Sequence, residues 1–337
     1  MKYTPVNGLI LRGSYATGFI PPTFVQFGSA ITGESESDTA LTFDPKTGET
    51  YRVPVLKGNA ANPDLKPQTA QNFGWGVVYQ PTSGRFKGLR ISLDFYKNFQ
   101  TGAIFRPSYQ QALASPDLAY LIPRGPDGRV VSYTQQFVNG EKQYSSGYDV
   151  TINYRRKIDG VGTITLNTGA TVINHLMLPF VYKGPLVEYS GFPNSGGAVK
   201  TKANASVNWL IGKHWSLGWN SRYWASYKQQ GAPSDPRYNG AKTYTLQTTE
   251  LRAQGGADAE NGFSIPSQMY HNIFASYVFG NSPKHRYLAG TTIQVGFDNI
   301  FNKLPPFDAH SRNAPFYYSP YGNLLLRTYL LKVKRDF

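Results

Sequence analysis

A period-two alternation of apolar and polar residues recurs along most of this chain and constrains its fold more than any other feature. Alternation of this kind gives a β-strand one apolar and one polar face. Residues 147–155 are typical, because Tyr148 and Val150 alternate with Asp149 and Thr151. We predict about ten such strands, at residues 9–17, 72–80, 89–100, 147–155, 163–171, 202–208, 216–222, 272–279, 292–298 and 329–337. No helical periodicity of comparable length competes with them.

The composition excludes several other classes of protein. The 337 residues include no Cys, which excludes a disulfide scaffold, a Cys-ligated metal site and a thiol nucleophile. The mean hydropathy is −0.40, and no run of about 20 apolar residues is present, so a helical membrane protein is excluded. Aromatic residues make up 15 % of the chain, which argues against disorder.

The lengths of the connections between the predicted strands separate two all-β alternatives. A soluble β-sandwich and a transmembrane β-barrel both show alternating strands. Here the connections alternate strictly between long and short, and a barrel of the outer membrane has long loops on one side and short turns on the other. The long connections are residues 18–69, 101–141, 176–198, 229–266 and 300–322, and the short ones are 81–88, 158–161, 212–214 and 281–288. The pattern therefore favours the barrel.

Aromatic residues cluster near both ends of the predicted strands. Amphipathic rings prefer the headgroup level of a bilayer, so two aromatic belts are expected on a barrel, although β-proteins are also rich in aromatics in general. One group lies near the short connections: Tyr79, Tyr154, Trp209, Trp215, Tyr277, Phe279 and Phe337. The other lies near the long connections: Phe19, Phe105, Tyr144, Tyr223, Trp224, Tyr227 and Tyr270.

Four segments, in order, resemble the C-terminal part of the barrel of TonB-dependent outer-membrane receptors. They are LRGSYATGFIPPTF (11–24), NPDLKPQTAQNFGWG (62–76), GFDNIFNKLPPF (296–307) and YSPYGNLLLRTYLLKVKRDF (318–337). Two positions depart from the family pattern: Gln68 stands where the family usually has Glu, and Arg335 stands where an aromatic or apolar residue is common. Neither departure disturbs the fold that the resemblance implies.

The resemblance implies an all-β, antiparallel transmembrane barrel of about 22 strands, of which this chain supplies about ten. Residues 1–337 would form the C-terminal part of that single barrel domain. The plug domain, the signal peptide and the N-terminal strands that the family possesses are expected to lie outside this sequence, because the first residues contain no apolar core of a signal peptide.

The resemblance also implies active transport rather than catalysis. Relatives in the outer membrane of Gram-negative bacteria bind a scarce nutrient chelate, most often a ferric siderophore and sometimes cobalamin or a glycan. The implied partners are the TonB energy-transducing complex, reached through the missing N-terminal part, outer-membrane lipids and lipopolysaccharide, the small-molecule ligand, and the barrel-assembly machinery. No cofactor, resident metal or nucleic-acid partner is expected.

Candidate site residues follow from the resemblance and from their position in or near the long loops. Aromatic and polar side chains there are expected to contact ligand: Trp224, His310, Arg312, Tyr317 and Tyr318. The alternative is that such loop aromatics pack on one another or at the membrane boundary. The terminal aromatic, Phe337, is expected to act in barrel assembly.

Other functional classes fit the sequence less well than transport. The five His residues show no metal-ligand spacing. A ten-stranded rim protease of the omptin kind fits the strand count but not segments 62–76 and 296–307, and a passive pore or an adhesin is a third alternative. The acidic residues Glu34, Glu36, Asp38 and Asp44 lack the spacing of a calcium loop, which predicts a solvated or ion-stabilised surface loop.

The net charge of +14 is distributed unevenly. The short connections and the last strand hold eleven basic residues against Asp159 and Asp336, a net charge of +9. The basic residues are Arg85, Lys87, Arg155, Arg156, Lys157, Lys213, Lys284, Arg286, Lys332, Lys334 and Arg335. The excess therefore predicts contact with lipid headgroups on the side of the short connections, and it indicates neither nucleic acid nor an anionic ligand.

Overall fold

One large antiparallel sheet dominates the computed structural model, which describes residues 1–28, 37–38, 42–56, 61–140, 142–179, 182–193, 197–228, 264–280, 283–306 and 318–335. Eleven strands lie side by side in chain order, and a short strand, Leu186–Glu188, pairs with the sixth. The eleven are β1 (Lys2–Val6), β2 (Leu9–Ile20), β3 (Gln68–Tyr79), β4 (Leu89–Thr101), β5 (Lys142–Ile158), β6 (Gly162–Pro179), β7 (Thr201–Ile211), β8 (Trp215–Trp224), β9 (Gln268–Val278), β10 (Thr291–Asp298) and β11 (Thr328–Arg335). Among the described residues β1 and β11 pair on one side only, so the sheet is not closed.

All ten predicted strands are present, and of the eleven long strands of the sheet the sequence prediction missed only β1. The additional strand, β1, forms a tight hairpin with β2 around Gly8, whose φ of 84° suits glycine. Strand β1 is exposed along its whole length and contains Pro5, so it shows no alternation.

The long and the short connections lie at opposite ends of the strands, as predicted, because consecutive strands are antiparallel neighbours. We call the end with the long connections the loop end and the other end the turn end. In the described part of the chain, no helix has the length and apolar character needed to cross a membrane. Within these residues the helices are the short segments Phe24–Phe27, Tyr109–Ala114, Pro116–Leu121 and Pro283–Leu288.

The two faces of the sheet differ in polarity, as the alternation predicts. One face, called the apolar face, carries exposed large apolar side chains such as Leu11, Tyr15, Phe73, Trp75 and Leu93. The opposite face, called the polar face, carries charged and amide side chains.

On the polar face, an ion pair joins two strands that are not adjacent. The side chains of Arg12 on β2 and Asp94 on β4 meet at 2.5 Å. Gly76 of β3 lies in register between them, and a Cβ atom there would come within 2.0 Å of Asp94 Oδ1. The missing side chain of Gly76 therefore makes room for the ion pair.

The first two long connections fold together into a small unit, which we call the cap (residues 42–56 and 103–139). Short strands build it: Thr42–Asp44 pairs with Glu49–Tyr51, Pro54–Leu56 pairs with Ser37–Asp38 and Tyr133–Thr134, and Ile104–Phe105 pairs with Val138–Asn139. Its core buries side chains from both connections: Val53, Val55, Tyr109, Ala112, Leu118, Leu121, Ile122, Val130, Tyr133 and Val138. Burial of this apolar surface stabilises the cap. A further short pair, Tyr227–Lys228 with Ser264–Ile265, lies in the fourth long connection.

The prediction of a solvated or ion-stabilised surface loop is wrong for Asp44, which is fully buried in the cap. Its carboxylate accepts hydrogen bonds from both terminal nitrogens of Arg124, at 2.6 and 3.0 Å, and from the hydroxyl of Tyr51. The Arg124 guanidinium holds the pKa of the Asp44 carboxyl well below its usual range, against the opposing effect of burial. Glu34 and Glu36 lie outside the described residues.

Candidate functional site

The loop ends of β7, β8 and β9 bring three different side chains together on the polar face. Lys202, Trp224 and Gln268 are direct cross-strand neighbours in one row. Each belongs to the polar set of its strand by alternation, although Trp224 is itself aromatic. The row places a cation, an aromatic ring and an amide side by side at the loop end of the polar face.

A buried hydrogen-bond network fixes the last long connection against this row. Gln268 has no exposed surface, and its side-chain nitrogen donates to Ser319 Oγ at 2.5 Å. The hydroxyl of Tyr227 donates to the same oxygen at 3.1 Å, and the hydroxyl of Tyr270 donates to Gln268 Oε1 at 3.1 Å. Because buried polar groups that are satisfied in this way specify one arrangement, the segment around Ser319 is tied to the strand ends.

Aromatic rings surround Trp224. The ring of Tyr321 stacks on it at a centroid distance of 5.9 Å, and Tyr270 meets it edge-on at 6.2 Å. Lys202 Nζ lies 5.7 Å from the centroid of the Tyr321 ring. The cation and the rings therefore form one cluster, stabilised by ring stacking and by a cation–π contact.

An open groove of about 370 Å³ runs across the polar face from this cluster. Its lining combines apolar residues such as Val150 and Ala170 with the ring of Trp224 and with charged and polar residues: Asp149, Thr151, Thr171, Lys202, Asn204 and Arg222. Asp149 is engaged by the hydroxyl of Thr171, which donates to it at 2.6 Å. Gly169, opposite Asn204 in the register, contributes no side chain and so leaves the floor of the groove open.

The groove has the chemistry to hold an anionic ligand that contains aromatic rings. Two cationic side chains, Lys202 and Arg222, point to the same face as Trp224, and Asp149 is the one acidic residue in the lining. Arg and Lys donate charge-assisted hydrogen bonds to anionic oxygens, and a tryptophan ring offers a stacking surface.

The structure places two of the five predicted ligand residues. Trp224 is in the cluster, and Tyr318 is half-buried directly before Ser319. His310, Arg312 and Tyr317 lie outside the described residues, as does the predicted assembly residue Phe337. The ligand-binding role of all five residues stays a prediction.

Sequence reasoning missed Lys202, Arg222, Gln268 and Tyr321 as candidates. Lys202 and Arg222 did appear as polar members of alternating strands, and their position near a long loop was the available signal. The roles of Gln268 and Tyr321 depend on contacts between the loop ends of β8 and β9 and the fifth long connection, which local periodicity does not show.

The third long connection contacts the cap through an ion pair and a packed aromatic ring. Lys183 Nζ pairs with Asp117 at 2.8 Å, and the Tyr182 ring packs against the cap core. Glu188 accepts hydrogen bonds from the backbone N–H groups of Leu176 and Ser190. Three consecutive loops are therefore joined by specific contacts at the loop end.

The described histidines make contacts that suit structural roles. His175 Nδ1 lies 2.8 Å from Glu188, His214 Nδ1 lies 2.8 Å from the Val278 carbonyl, and His271 stacks on Trp219. In the part of the chain that the structure describes, no group of three or more His, Cys, Asp or Glu side chains is arranged to hold a metal ion.

Comparison with known proteins supplies the family. The family model described as "TonB dependent receptor-like, beta-barrel" matches residues 1–300. No curated protein matches the sequence significantly.

Three solved structures share the fold at low sequence identity. The siderophore receptor PirA of Acinetobacter baumannii matches at a TM-score of 0.60 and 15 % identity, over 100 % of this chain and 40 % of PirA. A mutant of the ferric enterobactin receptor PfeA of Pseudomonas aeruginosa, solved with enterobactin, matches at 0.59 and 14 %, over 100 % and 40 %. The FrpB iron transporter of Neisseria meningitidis matches at 0.52 and 13 %, over 98 % and 37 %. The chain thus spans 37 to 40 % of the length of these proteins.

Proposed function

Since the chain belongs to the TonB-dependent receptor family through its β-barrel domain, we propose that it forms part of the wall of an outer-membrane receptor for a ferric siderophore. The observation that carries the proposal is the groove on the polar face, where Lys202, Arg222 and Trp224 converge. In a barrel of this family, the polar face lines the lumen and the apolar face contacts lipid.

The substrate class is inferred from chemistry and from relatives together. PirA is described as a siderophore receptor, and PfeA as a ferric enterobactin receptor that was solved with enterobactin. Ferric complexes of siderophores that bind iron through anionic oxygens suit a site with two cations and an aromatic ring. Cobalamin and a glycan remain the competing ligands of the family.

The remaining partners follow from the proposal. Closing the barrel requires further strands that pair with the free edges of β1 and β11, because unpaired backbone groups are costly in hydrocarbon. We propose that this chain is the C-terminal part of such a barrel and that TonB engages a segment outside it. The barrel-assembly machinery would recognise the end of the chain at Phe337, and no enzymatic activity is expected.

Two substitutions in the full-length receptor test the proposal. We expect Lys202→Ala and Arg222→Ala each to weaken binding of a ferric catecholate siderophore about tenfold or more, because each removes a charge-assisted hydrogen bond of about 1.5 to 3 kcal/mol. Quenching of tryptophan fluorescence on titration with the loaded siderophore measures the affinity. Trp224→Leu is expected to weaken binding and to reduce the quenching signal.

Lys87→Ala is the matched control, since it removes an exposed cation in a short connection at the turn end. It should bind as wild type does. Wild-type binding of the ferric siderophore that is unaffected by both groove substitutions would refute the assigned site. Selective binding of cobalamin or a glycan, with no binding of any ferric siderophore, would refute the substrate class.

A further inference from the structure

One cross-strand row on the polar face carries charges of both signs. The register aligns the row across seven strands, from β2 to β8: Arg12, Gly76, Asp94, Asp149, Thr171, Lys202 and Trp224. Asp94 and Asp149 are direct neighbours in this row, on β4 and β5. Two carboxylates therefore lie in line with the cationic end of the groove.

The two carboxylates differ in their partners. Asp94 accepts hydrogen bonds from Nε and Nη2 of Arg12, at 2.7 and 2.5 Å, so both of its oxygens are engaged by a cation. Within the described residues, the side chain of Asp149 accepts a hydrogen bond only from the Thr171 hydroxyl, and it forms no ion pair. Like charges directly opposite each other in a sheet are destabilising. Asp149 thus carries a negative charge that the described part of the sheet does not balance.

The cations of the groove are held away from Asp149. Lys202 lies two strands along the row, which places the two backbones about 10 Å apart at about 4.8 Å per strand. Arg222 lies on the third strand from Asp149, and both cations line the groove with it. A groove with cations at one end and a carboxylate at the other is complementary to a ligand that carries both signs of charge.

An aromatic ring adjoins Asp149. Tyr96 of β4 is the register partner of Gly147 on β5, and Gly147 shares the face of Asp149 because it precedes it by two residues. A Cβ atom at Gly147 would come within 2.5 Å of the Tyr96 hydroxyl oxygen, so the ring extends over the glycine. Carboxylates and aromatic rings both attract ammonium groups. The chemistry beside Gly147 therefore suits a protonated amine.

Resting on the proposed siderophore site, we propose that Asp149 binds a protonated amine of the ligand and so determines which siderophores are accepted. The ligand then carries a free amine about 10 Å from the oxygens that bind its iron, since that is the separation of the two ends of the groove. Lys202 and Arg222 hold the anionic oxygens, and Asp149, oriented by the Thr171 hydroxyl, accepts a hydrogen bond from the ammonium group. A primary amine has a pKa of about 10.4 and is charged at neutral pH.

Matched pairs of ferric siderophores test the proposal in the full-length receptor. One pair is a tris-catecholate with a lysine amine in its backbone and the same compound after N-acetylation. The second is a linear trihydroxamate that ends in a primary amine and its N-acetylated form. Acetylation removes the charge and leaves the iron-binding groups unchanged. Quenching of tryptophan fluorescence measures each affinity.

Wild type is expected to bind the amine form of at least one pair about fivefold more tightly than the acetylated form. A fivefold difference is about 1 kcal/mol, the amount that an ion pair at a partly exposed carboxylate contributes. Asp149→Asn should bind both forms equally, because the amide can still accept the hydrogen bond from Thr171 but has no charge. Asp149→Glu should keep the preference.

Asp159→Asn is the matched control, since it removes an exposed carboxylate in a short connection at the turn end. It should show the preference of wild type. Each variant must also show the heat-dependent gel migration of a folded barrel. The comparison of the two forms in wild type needs no variant, so it tests the proposal even if Asp149→Asn folds poorly.

Three results would overturn the proposal. Equal affinity of wild type for the amine and acetylated forms would remove the amine site, and the proposed siderophore function would stand. A preference that persists in Asp149→Asn would remove Asp149 as its cause. Binding of none of the four ferric compounds by wild type would count against the siderophore function itself, and the amine site would fall with it.

Discussion

The buried ion pair of the cap offers the sharpest test of how the loop end is held together. Asp44→Asn keeps the shape of the side chain and removes its charge. The carboxylate of Asp44 now accepts four hydrogen bonds, two from Arg124, one from the Tyr51 hydroxyl and one from the backbone N–H of Lys46. An amide presents a donor where a carboxylate oxygen accepts, so at least one bond is replaced by a donor–donor contact.

The expected cost follows from the burial of the two partners. Breaking a buried ion pair by changing one partner costs about 3 to 5 kcal/mol. We take about 3 kcal/mol, the lower end, because the Arg124 side chain is 20 % exposed and keeps a hydrogen bond to the Gly128 carbonyl. At about 1.4 kcal/mol per factor of ten, local opening of the cap should become about 150-fold more frequent.

Hydrogen exchange in the full-length receptor measures that opening. The amide of Val130, which donates to the Tyr51 hydroxyl, is the reporter. Glu49→Gln is the control, because the Glu49–Arg129 pair is about half exposed on both sides and is expected to contribute at most about 1 kcal/mol. Equal exchange at Val130 in Asp44→Asn and in Glu49→Gln would refute the inference that the buried pair holds the cap closed.

The pH dependence of the cap follows from the same residues. The pKa of Asp44 is lowered in the folded cap, so its contribution is complete above the ordinary Asp pKa of about 3.9 and is lost as pH falls below it. Burial raises the pKa of Tyr109 and of Tyr133 to about 12, so their contribution is complete below about pH 10 and is lost as pH rises towards 12. Val130 should therefore stay protected from about pH 5 to 9 in wild type.

Two further substitutions test the sheet and the fixed connection. Gly76→Ala should lower the temperature at which the receptor loses its folded gel migration by several degrees, because the added Cβ displaces Asp94 from Arg12. Gly13→Ala is the control and should change this temperature little, since a Cβ there has no neighbour nearer than 3.8 Å. Equal transition temperatures for the two variants would contradict the proposed role of Gly76. Gln268→Leu should increase proteolytic cleavage near Ser319, since the buried donor to Ser319 Oγ is lost, and an unchanged cleavage pattern would show that other contacts hold this segment.

The sheet was largely predictable because its signal is local. Alternation located ten strands, but it ended β6 at residue 171, whereas the strand continues to Pro179. An irregularity between Ser146 and Gly147 shifts the register, so that Gly147 pairs with Ile173 and Ser146 pairs with His175. Asn174 is then an extra residue that reverses the alternation, and the sequence pattern stops although the strand does not.

The cap and the groove were not predictable for the opposite reason. The partner of Asp44 is Arg124, 80 residues along the chain, and no local pattern links two such positions. Trp224 was a candidate from its residue type and its place near a long loop. Its neighbours Tyr270 and Tyr321 come from a later strand and a later connection. Side chains at a site of this kind are brought together by the topology of the sheet, which a single sequence does not contain.

The net charge of +14 does not account for the positive charge of the groove. Much of the positive charge lies at the turn end, and Lys202 is nine residues from Ile211 at that end of β7, which is about 30 Å along the strand. At physiological ionic strength, charges are screened over about 8 Å, so the turn end contributes almost nothing to the potential in the groove. An anionic ligand there would interact with Lys202 and Arg222, next to Asp149. Removing one turn-end cation should therefore leave ligand affinity unchanged, while removing one groove cation should reduce it.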